Sequence, residues 1–193
     1  MAAYTHDNRV RYVVRYLYDI DNNGVLDKND FKCLAVRNTI VENLGNFPTD
    51  RFEVNCKVME NLWNEIALLA DFDKNGEVDV DEFKKAVQDN CVGKSYDAFP
   101  PMFKVFIENQ FKAIDVNGDG VVGLDEYRQD VITRGAYADI TEIDDAFNKL
   151  MNNDVDKAAG GITLARYREL YAQFIGNKEE GPYMYLFGPL KQM

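Results

Sequence analysis

Histidine and cysteine are scarce in this chain of 193 residues, which contains one histidine and three cysteines. His6 stands alone near the terminus, so the sequence offers no Ser–His or Cys–His arrangement for nucleophilic catalysis. Cys33, Cys56 and Cys91 are an odd set without metal-ligand spacing, and we predict free thiols. These absences argue against a nucleophilic enzyme and against a disulfide-stabilised fold.

Long apolar runs and positive charge are lacking as well. No apolar run approaches 18 residues and no apolar signal region opens the chain, so we expect a cytosolic protein without a membrane partner. The 33 acidic residues outnumber the 22 basic ones, and the formal net charge is −11. Without a basic stripe, so acidic a chain is not expected to bind nucleic acid.

Acidic residues concentrate in residues 71–82 (loop 2), which read D-F-D-K-N-G-E-V-D-V-D-E. Oxygen-bearing side chains occupy positions 1, 3, 5 and 12, Gly76 occupies position 6 and Val78 position 8. This is the EF-hand pattern, in which alternate oxygens converge on a Ca²⁺ ion that takes six to eight of them at about 2.3–2.6 Å. Glycine permits the positive φ of the sharp turn. The predicted ligands are Asp71, Asp73, Asn75, the main-chain carbonyl of Glu77, and Glu82.

Two further segments, residues 19–30 (loop 1) and 115–126 (loop 3), repeat this pattern. The predicted ligands of loop 1 are Asp19, Asp21, Asn23, the carbonyl of Val25, and Asp30. The predicted ligands of loop 3 are Asp115, Asn117, Asp119, the carbonyl of Val121, and Glu126. We therefore predict three Ca²⁺ per chain. The sequence leaves open whether Asp27 and Asp79, at position 9, ligate directly or through water.

An aromatic residue follows position 12 in all three loops and identifies a fourth copy, loop 4, at residues 155–166. Gly160 takes position 6, Ile162 position 8, and Tyr167 the position after the loop. The side-chain ligand positions hold Val155, Lys157, Ala159 and Arg166. Because a cation replaces the acid at position 12 and no carboxylate stands at the other ligand positions, loop 4 is predicted to bind no calcium.

Four repeats of this size predict an all-α fold of four EF-hand helix–loop–helix units in two packed pairs. Each pair should be joined by a short two-stranded contact, with Leu26 facing Val78 and Ile162 facing Val122. The predicted organisation is an N-terminal pair at residues 1–92, a C-terminal pair at 98–176, and an apolar tail at 177–193 that docks on the core.

Distinctive phrases accompany the loops: D-N-R-V-R-Y-V-V-R-Y near the N-terminus, D-I-D-N-N-G, N-L-W-N-E-I-A, F-K-A-I-D-V-N-G-D-G, and L-F-G-P-L-K in the tail. Together with the degenerate loop 4, they resemble the invertebrate sarcoplasmic calcium-binding proteins, closely the crustacean type. The resemblance implies a compact protein of muscle cytoplasm, often dimeric, that buffers Ca²⁺ while Mg²⁺ competes. The crustacean proteins of this family are also food allergens, so the resemblance implies that this protein is an allergen as well. No small-molecule substrate is expected.

Loop 1 departs from the template at one position. Asp30 at position 12 has a shorter side chain than the glutamates of loops 2 and 3, so we expect it to supply one oxygen in place of two. Mg²⁺ prefers six ligands at about 2.0–2.1 Å and dislikes a bidentate clamp, so we expect loop 1 to be the most tolerant of Mg²⁺.

Three classes of function share this fold: calcium buffers, calcium sensors, and photoprotein-like oxygenases. Sensors of the calmodulin kind expose grooves rich in methionine, whereas the six methionines here are scattered along the chain. A photoprotein-like cavity would call for several histidines. The sequence therefore favours buffering, with sensing as the alternative and oxygenase activity a remote one.

Overall fold

The computed structural model describes residues 2–135, 137 and 139–192. Met1 and Met193, two of the scattered methionines, lie outside them. The helices are α1 (His6–Val13, continued by a π-helical turn at Val14–Tyr18), α2 (Lys28–Glu42), α3 (Thr49–Ala70), α4 (Val80–Asn90), α5 (Pro101–Ile114), α6 (Leu124–Arg134), α7 (Ile140–Leu150), α8 (Asp154–Ala159) and α9 (Leu164–Gly176). The strands are β1 (Val25–Leu26), β2 (Val78–Asp79), β3 (Val121–Val122) and β4 (Ile162–Thr163). Short 3-10 turns occur at Ala2–Tyr4, Tyr96–Ala98 and Pro182–Tyr185.

The strands pair the loops two by two. Strands β1 and β2 form one antiparallel contact, and β3 and β4 form the other. Leu26 lies opposite Val78 and Val122 opposite Ile162, and all four side chains are buried. The prediction of an all-α fold with two pairs of EF-hands is confirmed, including the register of both contacts.

One apolar cluster runs through both pairs. Trp63 is 7% exposed, and its ring lies 5.3 Å from that of Phe31. The Tyr18 ring lies 4.8 Å from the Phe106 ring, which joins the first hand to the helix that enters loop 3. Val41, on α2, lines an open cleft and is 46% exposed.

The described part of the C-terminal tail, residues 177–192, folds back onto helices α1 and α9. Tyr183 is buried and Phe187 has no exposed surface. The Phe187 ring lies 4.9 Å from the ring of Phe174. The main-chain carbonyl of Phe187 accepts a hydrogen bond of 3.2 Å from the Tyr12 hydroxyl. The tail thus covers apolar surface of the helices with its own side chains.

Among the described residues, no helix combines the length and apolarity that a bilayer crossing requires.

Arg9 joins helix α1 to the end of α9. It has no exposed surface, and its guanidinium donates to the carbonyls of Phe174 at 2.6 Å and Asn177 at 2.5 Å. The last carbonyls of a helix lack partners within that helix, and positive charge there is favourable. The guanidinium also lies 5.2 Å from the centre of the Tyr183 ring. A buried cation therefore connects the N-terminal helix, the last helix and the tail.

Candidate metal centres

Loops 1, 2 and 3 follow the same backbone path. Position 6 is left-handed in each, with φ of +93° at Gly24, +87° at Gly76 and +86° at Gly120. Position 4 is left-handed as well, at Asn22, Lys74 and Gly118. Glycine adopts this conformation without a Cβ penalty, and the sharp turn it makes brings the loop back around a common centre.

The aspartate at position 1 of each loop holds this turn in place. One of its carboxylate oxygens accepts the main-chain N–H of the glycine at position 6. The bonds run from Gly24 to Asp19 at 3.1 Å, from Gly76 to Asp71 at 3.1 Å, and from Gly120 to Asp115 at 3.0 Å. Each bond orients a predicted metal ligand from within the loop itself.

The carboxylate at position 12 closes each loop. It accepts one N–H near the start of the loop and one from position 9. In loop 1, Asp30 accepts hydrogen bonds from the N–H groups of Ile20 and Asp27, both at 2.9 Å. In loop 2, Glu82 accepts from Phe72 and Asp79, both at 3.1 Å. In loop 3, Glu126 accepts from Asn117 at 3.2 Å and from Gly123 at 3.0 Å. In loops 1 and 2 the same two positions donate, so Asp30 reaches the backbone groups that Glu82 reaches, despite its shorter side chain.

Position 9 has a structural use in loops 1 and 2. Asp27 is the N-cap of α2 and accepts the N–H groups of Asn29 and Asp30. Asp79 caps α4 in the same manner. An aspartate at an N-cap satisfies main-chain donors that have no partner in the helix. Capping therefore gives both aspartates a structural role, whether they ligate a metal directly or through water.

Two loops gather three carboxylates each: Asp19, Asp21 and Asp30 in loop 1, and Asp71, Asp73 and Glu82 in loop 2. Within each group the oxygen atoms lie within 4.8 Å of one another. Three negative charges at such distances repel one another, and a divalent cation would remove that repulsion. These donor sets consist of carboxylate oxygens, which suit a hard cation such as Ca²⁺.

Loop 3 exchanges the residue types at positions 3 and 5, with Asn117 and Asp119 where loop 2 has aspartate and asparagine. The Asn117 amide donates to Asp119 at 2.9 Å. The Oδ1 atom of Asp115, at position 1, is buried and has no hydrogen-bond partner among the described residues. A buried carboxylate oxygen without a partner is costly, and a bound cation would satisfy it.

Asp30 is the most buried of the carboxylates at position 12, with 1% of its surface exposed. Burial raises the pKa of the Asp30 carboxyl above its usual value, although hydrogen bonds from the main chain oppose this. Burial therefore makes the charged form of Asp30 less favourable than that of an exposed aspartate, and a nearby cation would offset this effect.

The carbonyl ligands predicted at position 7 lie at the inter-loop strands. Val25 and Val121 are strand residues, and Glu77 directly precedes β2. The strand pairing thus connects the two loops of the N-terminal pair through the segments that would carry ligands.

Loop 4 is built differently. Its first half forms helix α8, and Gly160 ends that helix in a left-handed conformation. Asp156, at position 2, is 3% exposed and accepts hydrogen bonds from Asn153 at 2.5 Å and from Arg166 Nε at 3.1 Å. The arginine at position 12 therefore pairs with a buried carboxylate inside the loop. The sequence analysis missed Asp156, because position 2 carries no ligand in the EF-hand template.

Comparison with known proteins identifies relatives of the whole chain. The EF hand family model matches residues 107–132, which contain loop 3. Sarcoplasmic calcium-binding protein alpha chain from Penaeus vannamei is 68% identical over 190 residues, which are 98% of each chain. The chain belongs to the sarcoplasmic calcium-binding protein family. Sarcoplasmic calcium-binding protein 1 from Astacus leptodactylus, 66% identical over 99% of this chain and 100% of that one, supports the same assignment. The chain is thus a calcium-binding EF-hand protein, as its resemblance to crustacean sequences implied.

Solved structures agree on the architecture of the family. A sarcoplasmic calcium-binding protein from amphioxus superposes with a TM-score of 0.81 over 96% of this chain and 97% of that one, at 22% identity. A coelenterazine-binding protein from Renilla muelleri gives a TM-score of 0.60 over 94% of this chain and 93% of that one, at 17% identity. At such identities the likeness concerns the fold alone. The four-hand arrangement is thereby confirmed independently of the sequence patterns.

Proposed function

We propose that the protein is a Ca²⁺/Mg²⁺ buffer of muscle cytoplasm that binds three Ca²⁺ per chain through loops 1, 2 and 3. The hydrogen-bonded scaffold that these three loops share carries the proposal, since it orients the carboxylates at positions 1 and 12 alike in each. In loop 4, position 12 is Arg166, which pairs with the Asp156 carboxylate and offers no oxygen to a metal. The relatives reported above are named as calcium-binding proteins, and we propose no catalytic activity.

Buffering is favoured over sensing by the way the apolar helix faces are used. Sensor hands open on loading and uncover an apolar groove, whereas buffer hands barely open. Here the two pairs share a single core, and Phe187 of the tail is inserted into it. Exposing a groove would require separating the pairs or removing the tail, both of which cost buried apolar area. Sites of this type are expected in the buffer range of affinity, about 10⁻⁹–10⁻⁸ M.

Replacing Glu82 with glutamine should reduce the number of bound calcium ions from three to two. The change removes the charge and one strong oxygen ligand at position 12 of loop 2. Calorimetric titration at fixed Mg²⁺ measures this stoichiometry. Glu77→Gln is the matched control, because position 7 ligates through its carbonyl and the count should stay at three. A parent protein that binds four ions would contradict the assignment of loop 4.

Replacing Asp30 with glutamate should shift loop 1 from Mg²⁺ towards Ca²⁺. The longer side chain can offer both oxygens to one ion, which suits Ca²⁺ and not the six-coordinate Mg²⁺. We expect the Mg²⁺ concentration that halves Ca²⁺ binding at this site to rise severalfold, as read by Ca²⁺ titrations at several Mg²⁺ concentrations. Unchanged competition would show that side-chain length at position 12 does not set the preference.

Binding of an uncharged apolar dye, N-phenyl-1-naphthylamine, should be flat or lower when Ca²⁺ is added at constant Mg²⁺. The emptied protein is the looser form, because its clustered carboxylates repel one another. Dye fluorescence with Ca²⁺ and with a chelator measures the difference. A large increase with Ca²⁺ that an amphipathic target peptide abolishes would overturn the buffer proposal in favour of a sensor.

A further inference from the structure

An open cleft lies between the first and third hands. Helix α1, loop 1 and α2 form one side of it, and α5, loop 3 and α6 form the other. Its volume is about 630 Å³, within the range of about 300–1,000 Å³ typical of sites for small organic molecules. The proposed buffer function assigns this cleft no role.

Three arginines line the cleft: Arg15, Arg37 and Arg134. Arg134 is paired with Asp130, one turn earlier on α6. Arg37 forms neither a hydrogen bond nor a salt bridge with any other described residue. Within the described part of the chain, Arg37 is thus a cation of the cleft without an ion-pair partner.

Arg37 lies on the wall of the cleft, and the residue is exposed to solvent. Desolvation and the neighbouring charge of Arg134 lower the pKa of Arg37 to about 10, against a smaller opposing effect of Asp130. The residue remains a cation at neutral pH, and the negative charge of a bound anion would offset the repulsion by Arg134.

Two polar atoms of the cleft residues lack partners. Arg134 has 10% of its side chain exposed, and its Nη1 atom is buried without a hydrogen bond to any described residue. Oε1 of Gln110 is buried and unpaired in the same sense. Buried polar atoms are seldom left unpaired, and a ligand in the cleft would reach these two only after their side chains turn towards it. Apolar walls come from Ile20, Val41 and Ile114.

We propose that this cleft binds a small amphipathic organic anion, with its carboxylate, sulfonate or phosphate group at Arg37 and Arg134 and its apolar body against Ile20, Val41 and Ile114. Guanidinium groups bind such oxyanions through charge-assisted hydrogen bonds. The molecule would be a ligand and not a substrate, since the cleft residues named here include no nucleophile–base pair.

Calcium should strengthen this binding. Two carboxylates that line the cleft, Asp19 and Glu126, are also predicted metal ligands of loops 1 and 3. When those loops are empty, both carboxylates repel an anion, and bound Ca²⁺ neutralises them. This coupling, which rests on the proposed calcium sites, is reciprocal, so the anion should raise Ca²⁺ affinity by the same factor.

The test uses 1-anilinonaphthalene-8-sulfonate as the anionic probe and N-phenyl-1-naphthylamine, which lacks the sulfonate, as its neutral counterpart. Dissociation constants are measured by fluorescence with Ca²⁺ and with a chelator, for the parent protein and three variants. Arg37→Gln removes the unpaired cation, and Ala113→Phe fills the cleft from α5. Arg51→Gln makes the same charge change on α3, at an exposed residue outside the cleft.

We expect Arg37→Gln to weaken binding of the anionic probe about tenfold and to leave the neutral dye unaffected. Ala113→Phe should weaken both probes, and Arg51→Gln neither. Ca²⁺ should tighten the anionic probe at least about fivefold in the parent protein. The site proposal is overturned if the anionic probe binds equally well to the parent, Arg37→Gln and Ala113→Phe proteins.

Two further outcomes have definite meanings. Inorganic phosphate should displace the anionic probe only weakly, and equal potency would contradict a site for an amphipathic molecule. If three Ca²⁺ bind but leave the probe affinity unchanged, the coupling is wrong. A calcium count below three in the same sample would instead count against the proposed buffer function.

Discussion

Replacing Phe187 with alanine should lower the free energy of unfolding by about 3–5 kcal/mol, the usual cost of truncating a buried phenylalanine. Phe187 has no exposed surface, and its ring packs against those of Phe174, Tyr171 and Tyr12. Arg134 lies over the same ring at 5.1 Å. The truncation would leave a cavity where α1, α9 and the tail meet.

Urea denaturation in saturating Ca²⁺ measures the effect of this truncation. Leu68→Ala is the matched control, because Leu68 is 84% exposed and its loss should change the free energy by no more than about 0.5 kcal/mol. Equal stability of the two variants would show that the tail is not part of the folded core in solution.

Removing calcium should destabilise the protein strongly. An ion that binds only the folded chain adds about 4 kcal/mol per site when its free concentration is a thousandfold above the dissociation constant. For a chain of this length, about 4 kcal/mol corresponds to about 8–16 °C in melting temperature. We therefore expect the melting temperature in a chelator to lie tens of degrees below that in millimolar Ca²⁺.

Variants at position 12 of loop 2 make this expectation specific. Glu82→Gln should lose roughly one site's share of the stabilisation by Ca²⁺, whereas Glu77→Gln should keep all of it. Thermal unfolding of both variants, with Ca²⁺ and with a chelator, separates the contributions. Equal melting temperatures of the parent protein in the two buffers would contradict a stabilising role for the ions.

The predicted calcium centres were readable from the sequence because each is local. A loop of twelve consecutive residues contains its side-chain donors, the glycine of its turn and the acid that closes it. The inter-loop register followed from position 8, since Leu26 and Val78, like Val122 and Ile162, occupy equivalent places in equivalent repeats. The identity of these ligands remains a prediction, whereas the fold and the family are confirmed.

Two features depended on contacts that no repeating pattern in the sequence predicts. Asp156 could be recognised as the partner of Arg166 only once helix α8 had turned it inward. The burial of Arg9 against the end of α9 joins residues more than 160 positions apart. Neither residue belongs to a repeating pattern, so neither spacing nor composition pointed to its partner.

The sequence by itself determined the all-α fold, the four repeats, the pairing of the loops and the family, because periodic and local signals specify each of them. Only the tertiary structure decided which apolar surface the tail covers and where the arginine-lined cleft opens. That cleft is formed by residues from α1, α2, α5 and α6, which lie far apart in the chain. Its charges come together only because the first and third hands pack side by side.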